Sequence, residues 1–117
     1  IAGQLDLVAT PDRRLRELDF GAWDGLHYDE IYETDRARWD AWSGDWQRAA
    51  PPDGESLDQL THRVDAWRRN AAQLKADVLA VCHAGVIRAS WVLAGDTWER
   101  AMDRPVGHLK PYALALS

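Results

Sequence analysis

The sequence predicts an α/β layered domain, and three features predict it. An apolar stripe at helical spacing covers residues 57–74, a nearly continuous apolar run follows at 77–82, and a second helical pattern starts directly after His83. With a strand candidate near each end of the chain, that order is the order of a sheet covered by helices. The length of 117 residues fits one domain with a modest core. Residues 1–117 therefore read as one unit, with no internal repeat, low-complexity tract or interdomain linker.

The elements follow in order. LDLVAT, residues 5–10, alternates apolar and polar side chains and predicts a short strand, ended by Pro11 and Asp12. LRELDFGAWDGL, residues 15–26, places aromatics between Gly21 and Gly25 and reads as an ordered loop. One helix is expected over about residues 28–43, its face carrying Ile31, Tyr32, Trp39 and Trp42, with Trp46 one turn further. GDWQRAAPPDGE is a loop punctuated by Pro51, Pro52 and Gly54.

The next helix has the clearest signal. Leu57, Leu60, Val64, Trp67, Ala71 and Leu74 alternate spacings of three and four, which draws one continuous stripe. Ser56 is placed to cap it, with Gln59 completing a capping box. DVLAVC, residues 77–82, is apolar almost throughout, the pattern of a strand buried on both faces. GVIRASWVLAG then reads as a helix stopped by Gly95. DTWERAM predicts a short helix capped by Asp96 or Thr97, and YALALS a final strand.

Composition narrows the function classes. A formal net charge of -5 and a pI near 5.2 argue against a general polyanion binder, so no nucleic-acid partner is expected, although a small basic anion pocket is compatible. The single cysteine, Cys82, allows no internal disulfide and fits a reducing, cytoplasmic compartment. No apolar run approaches the roughly 20 residues of a membrane span, so no membrane association is expected. The start, IAGQLDLVATPDRR, lacks both a signal-peptide layout and an initiator Met, and reads as cut from something longer. Seven Trp ask for a thick core or a large partner surface.

The functional signal centres on VCHAGVIRA. His83 stands where a strand hands over to a helix. In open α/β sheets ligands bind off the carboxyl ends of strands, and a helix start there offers unpaired N–H groups to an anion. Ala84 and Gly85 are small enough for close backbone approach, and a protonated imidazole adds charge to the same site. The plainer alternative is a histidine that hydrogen-bonds a neighbouring loop.

VCHAGVIRA resembles the second histidine motif of the histidine phosphatase superfamily, also called phosphoglycerate mutase-like. LRELDFGAWDGLHYDEI resembles the loop that supplies that family's acid, and PPDGESLDQLTHRVDAW the segment leading into the helix before the second histidine. The wording ELDFGAWDG and DGESL looks most like the alpha-ribazole phosphatases of cobalamin assembly, and also like broad phosphoglycerate mutase-type phosphatases. The resemblance implies a three-layer α/β/α phosphoglycerate mutase-like fold, incomplete at the N-terminus. It implies a hydrolase that breaks phosphomonoesters in two steps through a phosphohistidine, with no metal and no cofactor. Glu17 matches the acid that protonates the leaving alkoxide and later helps activate water, and His83 the histidine that stabilises the transferring phosphoryl group. The amides of Ala84 and Gly85 would contribute at the helix start. Trp23, beside Glu17, is the aromatic expected to touch substrate.

One motif is missing: the family's first Arg-His-Gly, which carries the nucleophile, occurs nowhere in residues 1–117. Arg13, Arg14 and Arg16 read as part of the approach to the acid loop. The chain therefore looks like the C-terminal portion of a histidine phosphatase domain and is expected to be inactive alone. Buried faces left open would favour association, so a homo-oligomer is one expected outcome. Alternatives remain open. Glu17 could pair with a neighbouring arginine, Glu55 could be a first-turn helix charge or reach the pocket, and Trp23 could be core. The chain could also be a catalytically dead relative that binds a phosphorylated ligand or a protein partner. A metal enzyme is the weakest reading, since the four histidines show no ligand spacing; a metal assay decides it.

Overall fold

The computed structural model describes residues 7–108 and 110–114, and every regular element among them is helical. Two 3-10 turns, Arg13–Leu15 and Gly21–Trp23, stand on either side of Glu17, the second of them inside the predicted acid loop. Five helices follow: α1 Tyr28–Thr34, α2 Arg36–Gly44, α3 Leu57–Gln73, α4 Ala84–Leu93 and α5 Trp98–Asp103.

α3 forms as its pattern predicts. The Ser56 hydroxyl accepts from the Gln59 amide at 3.1 Å, and the Ser56 amide donates to Gln59 Oε1 at 2.8 Å. Such a cap stabilises a helix by about 1 kcal/mol. The stripe then makes the core: Leu60 and Val64 are fully buried and pack with Val86 and Ala89 of α4, Leu57 and Trp98. Each large apolar side chain buried there contributes about 1.5–3 kcal/mol. Leu15, Leu18, Trp46 and Cys82 pack against the same core from the loops, so the core also anchors the segments around Glu17 and His83.

α4 stops at Ala94, and Gly95 takes φ +113° while its amide donates to the Val92 carbonyl. That is the glycine stop read from the sequence. Thr97, rather than Asp96, caps α5, its hydroxyl accepting from the Arg100 amide at 3.2 Å. Arg88 on α4 donates to the Ala101 and Arg104 carbonyls at the end of α5, which locks the two helices together. No helix among the described residues is long and apolar enough to cross a membrane.

Three expectations differ from what the described residues form. The α/β layering is not formed by the described residues. Residues 77–82 have no regular structure, and Val78, Leu79 and Val81 are 39%, 60% and 66% exposed rather than buried. A strand is held by its ladder, and no described segment pairs with this one. The pattern shows what the segment suits, while the pairing depends on a neighbour. Residues 7–10 and 112–114 are likewise without strand structure, and the remaining residues of those two strand expectations, 5, 6 and 115–117, lie outside the described residues. Second, the single helix over residues 28–43 is two. Asp35 breaks it at φ -142°, ψ 44°, and its carboxylate accepts from the Trp23 indole at 3.1 Å and from Arg38 at 2.8 Å. Third, Leu74 leaves the stripe: it caps the end of α3 and is 67% exposed.

Candidate active site

Glu17 and the start of α4 meet. Glu17 Oε2 accepts the Gly85 amide at 3.2 Å across a sequence separation of 68 residues, and Oε1 accepts the Leu18 amide at 2.8 Å. The carboxylate therefore lies on the N-terminal turn of α4, where unpaired N–H groups and the helix dipole favour an anion. Gly85 makes this approach possible, since a Cβ there would overlap Glu17 Oε1. Glu17 pairs with these amides rather than with Arg13, Arg14 or Arg16. Arg14 is held on Asp12 at 2.7 Å, which lowers the Asp12 pKa, and Arg16 donates to the Arg13 carbonyl.

His83 is the N-cap residue of α4, at φ -120°, ψ 163°, and its exposed side chain makes no capping hydrogen bond. The imidazole is thus not spent on the helix it precedes. Cys82, half-buried beside it, is a thiol pushed up in pKa chiefly by burial, with the Glu17 charge adding to the rise. Its protonated form makes it a small hydrophobe facing the core.

Sequence reasoning missed Arg63. It donates from Nη1 to the Arg14 carbonyl at 2.7 Å, from Nη2 to the Glu17 carbonyl at 3.1 Å, and through Nε and Nη2 to both Glu55 oxygens at 2.9 and 2.8 Å. Glu55 also binds the loop directly: its amide donates to the Asp19 carbonyl at 2.8 Å, and its carboxylate accepts the Asp19 amide at 3.2 Å. Glu55 precedes the N-cap Ser56, and its carboxylate is held by Arg63 and the Asp19 amide. Burial pushes the Glu55 carboxyl up, but the Arg63 and Asp19 hydrogen bonds outweigh that and hold it below the ordinary glutamate value. Further along, the Ala22 amide donates to the Pro52 carbonyl at 2.8 Å, and Gly21, at φ +57°, sits where any side chain would meet Pro52 and Asp53.

Trp23 lies 4% exposed, with its indole N–H on Asp35 and its ring 6.0 Å from Trp39 and 5.8 Å from Trp42. It lines a cavity of about 180 Å³ together with Phe20, His27, Tyr28 and Ile31. Ala84 opens α4 beside His83. Among the described residues, no three His, Cys, Asp or Glu side chains converge as a metal ion would require.

The comparisons with known proteins point one way. The family model described as histidine phosphatase superfamily (branch 1) matches residues 1–109. An adenosylcobalamin/alpha-ribazole phosphatase of Escherichia coli is 33% identical over 86 residues, covering 72% of this chain and 41% of that protein. A bifunctional protein of Mycobacterium tuberculosis is 38% identical over 102 residues, covering 86% of this chain and 27% of its own length. The crystal structure of the alpha-ribazole phosphatase from Shigella flexneri superposes with a TM-score of 0.74 at 26% identity, covering 86% of this chain and 52% of that one. The chain thus spans about two fifths of the Escherichia coli relative and about half of the Shigella flexneri structure.

Proposed function

The chain belongs to the histidine phosphatase superfamily, branch 1, and from that premise we propose that it carries the acid and second-histidine half of a phosphomonoesterase. The observation that supports this most is the meeting of Glu17 with the Gly85 amide, one residue from Ala84 and two from His83. An acid beside an anion-binding helix start is what breaking a phosphate ester needs.

The chemistry runs in two steps. A histidine nitrogen attacks phosphorus as the P–O bond to the alcohol breaks, and Glu17 gives its proton to the departing alkoxide. Water then attacks the phosphohistidine, the N–P bond breaks, and the Glu17 carboxylate takes the water proton. His83 and the amide of Ala84 neutralise charge on the equatorial oxygens by fixed positioning, while the Gly85 amide holds the Glu17 carboxylate. No step calls for a metal. Residues 1–117 contain no Arg-His-Gly, so the full reaction is assigned to the product of the complete reading frame, and this chain alone is expected to be inactive. In that product residues 77–82 serve as a strand of a three-layer α/β/α sheet. The substrate is a small phosphomonoester, with an alpha-ribazole phosphate indicated by the names of the relatives. The absent Arg-His-Gly also supports a second reading, a catalytically dead relative that binds a phosphorylated ligand or a protein.

The test is hydrolysis of an aryl phosphate in EDTA, by the 117-residue chain and by the product of the complete reading frame. Activity is expected only in the latter, with His83→Ala lowering kcat/KM by roughly 100-fold or more. Glu17→Gln should make the rate more sensitive to leaving-group pKa. Activity in neither product favours the binding relative. Equal rates in wild type and both variants overturn the assignment.

A further inference from the structure

We infer that Arg63 and Glu55 are positioning residues for the acid, a clamp that holds Glu17 where its carboxyl meets the start of α4. This rests on the phosphatase reading. The guanidinium of Arg63 reaches three residues on two segments: the Arg14 and Glu17 carbonyls on either side of the first 3-10 turn's exit, and the Glu55 carboxylate ahead of α3. Glu55 then closes the loop beyond the acid by bonding both the amide and the carbonyl of Asp19. Glu17 is therefore tied through its own carbonyl and again two residues on, while among the described residues its carboxylate accepts from the Leu18 and Gly85 amides.

The clamp works by position rather than by charge. Arg63 and Glu55 lie 2.8 Å apart at 17% and 18% side-chain exposure, so the pair carries no net charge. What remains is a planar fork whose five N–H groups match four acceptors at once, a geometry that a lysine ammonium does not reproduce. Loss of the fork frees the Glu17 backbone to shift. A general acid displaced by a fraction of an ångström transfers its proton poorly.

This makes a distinctive demand. An alkyl phosphate needs its leaving oxygen protonated, whereas a nitrophenyl phosphate leaves without help. A clamp that serves the acid must therefore matter for the first substrate and not for the second, while a merely structural ion pair would depress both alike. The experiment uses the product of the complete reading frame carrying Arg63→Lys, Glu55→Gln, Glu17→Gln or Arg63→Lys with Glu17→Gln. It reads kcat/KM on glycerol phosphate and on nitrophenyl phosphate. Arg63→Lys and Glu55→Gln should each lose about 10- to 100-fold on the alkyl ester and less than about threefold on the aryl ester. The double variant should be no worse than Glu17→Gln alone. Should Arg63→Lys fail to fold, Glu55→Gln decides, since it keeps the guanidinium and its two carbonyl contacts. Equal losses on the two esters, no loss on either, or full additivity in the double variant would overturn the clamp while leaving the acid in place. If Glu17→Gln itself shows the wild-type leaving-group dependence, the acid assignment falls and the clamp falls with it.

Discussion

Alanine favours a helix over glycine, by about 1 kcal/mol in helix interiors, yet position 85 of α4 holds glycine, and the close approach of Glu17 accounts for it. The overlap that a Cβ at Gly85 would make is with Oε1 of Glu17, the mobile end of an exposed side chain. Gly85→Ala should therefore push the carboxylate off the helix start at little cost to the fold. The expected outcome is a melting temperature unchanged or raised, together with a fall of roughly tenfold or more in kcat/KM of the complete product on an alkyl phosphate. A parallel loss of stability and activity would mean that Gly85 is there for packing. At this scale the sequence was informative where chemistry is local: His83, Ala84 and Gly85 adjoin one another, and Glu17 came from its motif. Trp23 shows the limit. Its position beside Glu17 made it a substrate candidate, but only the fold reveals its indole N–H on Asp35 and its packing on Trp39 and Trp42.

Elements were legible to the extent that they stabilise themselves. α3 carries its own cap, stripe and length, and both ends of α4 were readable, because those signals lie within a few residues of one another. The break at Asp35 and the open run at 77–82 were not, since each depends on a partner distant in sequence. Arg63 was invisible for the same reason: the carbonyls it binds lie 46 and 49 residues away. The link between α3 and the acid loop also has a pH signature. The Glu55 carboxyl is held below its ordinary value of 4.5. A carboxyl lowered on folding adds stability that is fully present above its unfolded pKa and is lost as pH falls through the folded one. Glu55→Gln should thus be less stable than wild type at pH 7, with the difference shrinking steadily below about pH 4.5. Urea midpoints across pH 3–7 measure this. A difference independent of pH would show that the side chain contributes by packing rather than by its charge.

At the scale of the whole molecule, the Cα radius of gyration is 15.9 Å, whereas a compact domain of this length has about 13 Å. α3, α4 and α5 share one core, the Trp23 cluster forms a second, and the side chains of Val78, Leu79 and Val81 lie open between α3 and α4 in sequence. If that run is a strand of a layered sheet in the complete product, its amides gain a ladder there that they lack here. Hydrogen exchange reads this directly. In the 117-residue chain the amides of residues 77–82 should exchange within about tenfold of unstructured rates, while those around Leu60 and Val64 are protected. In the product of the complete reading frame the same amides should slow by roughly 100-fold or more. Protection already present in the 117-residue chain would mean that these residues find a partner among themselves or in a second copy, and dilution would separate the two. Rapid exchange in both would remove the strand from the proposed fold. His83 would then follow a loop rather than a sheet edge, and its proposed role beside the transferring phosphoryl group would lose its physical basis.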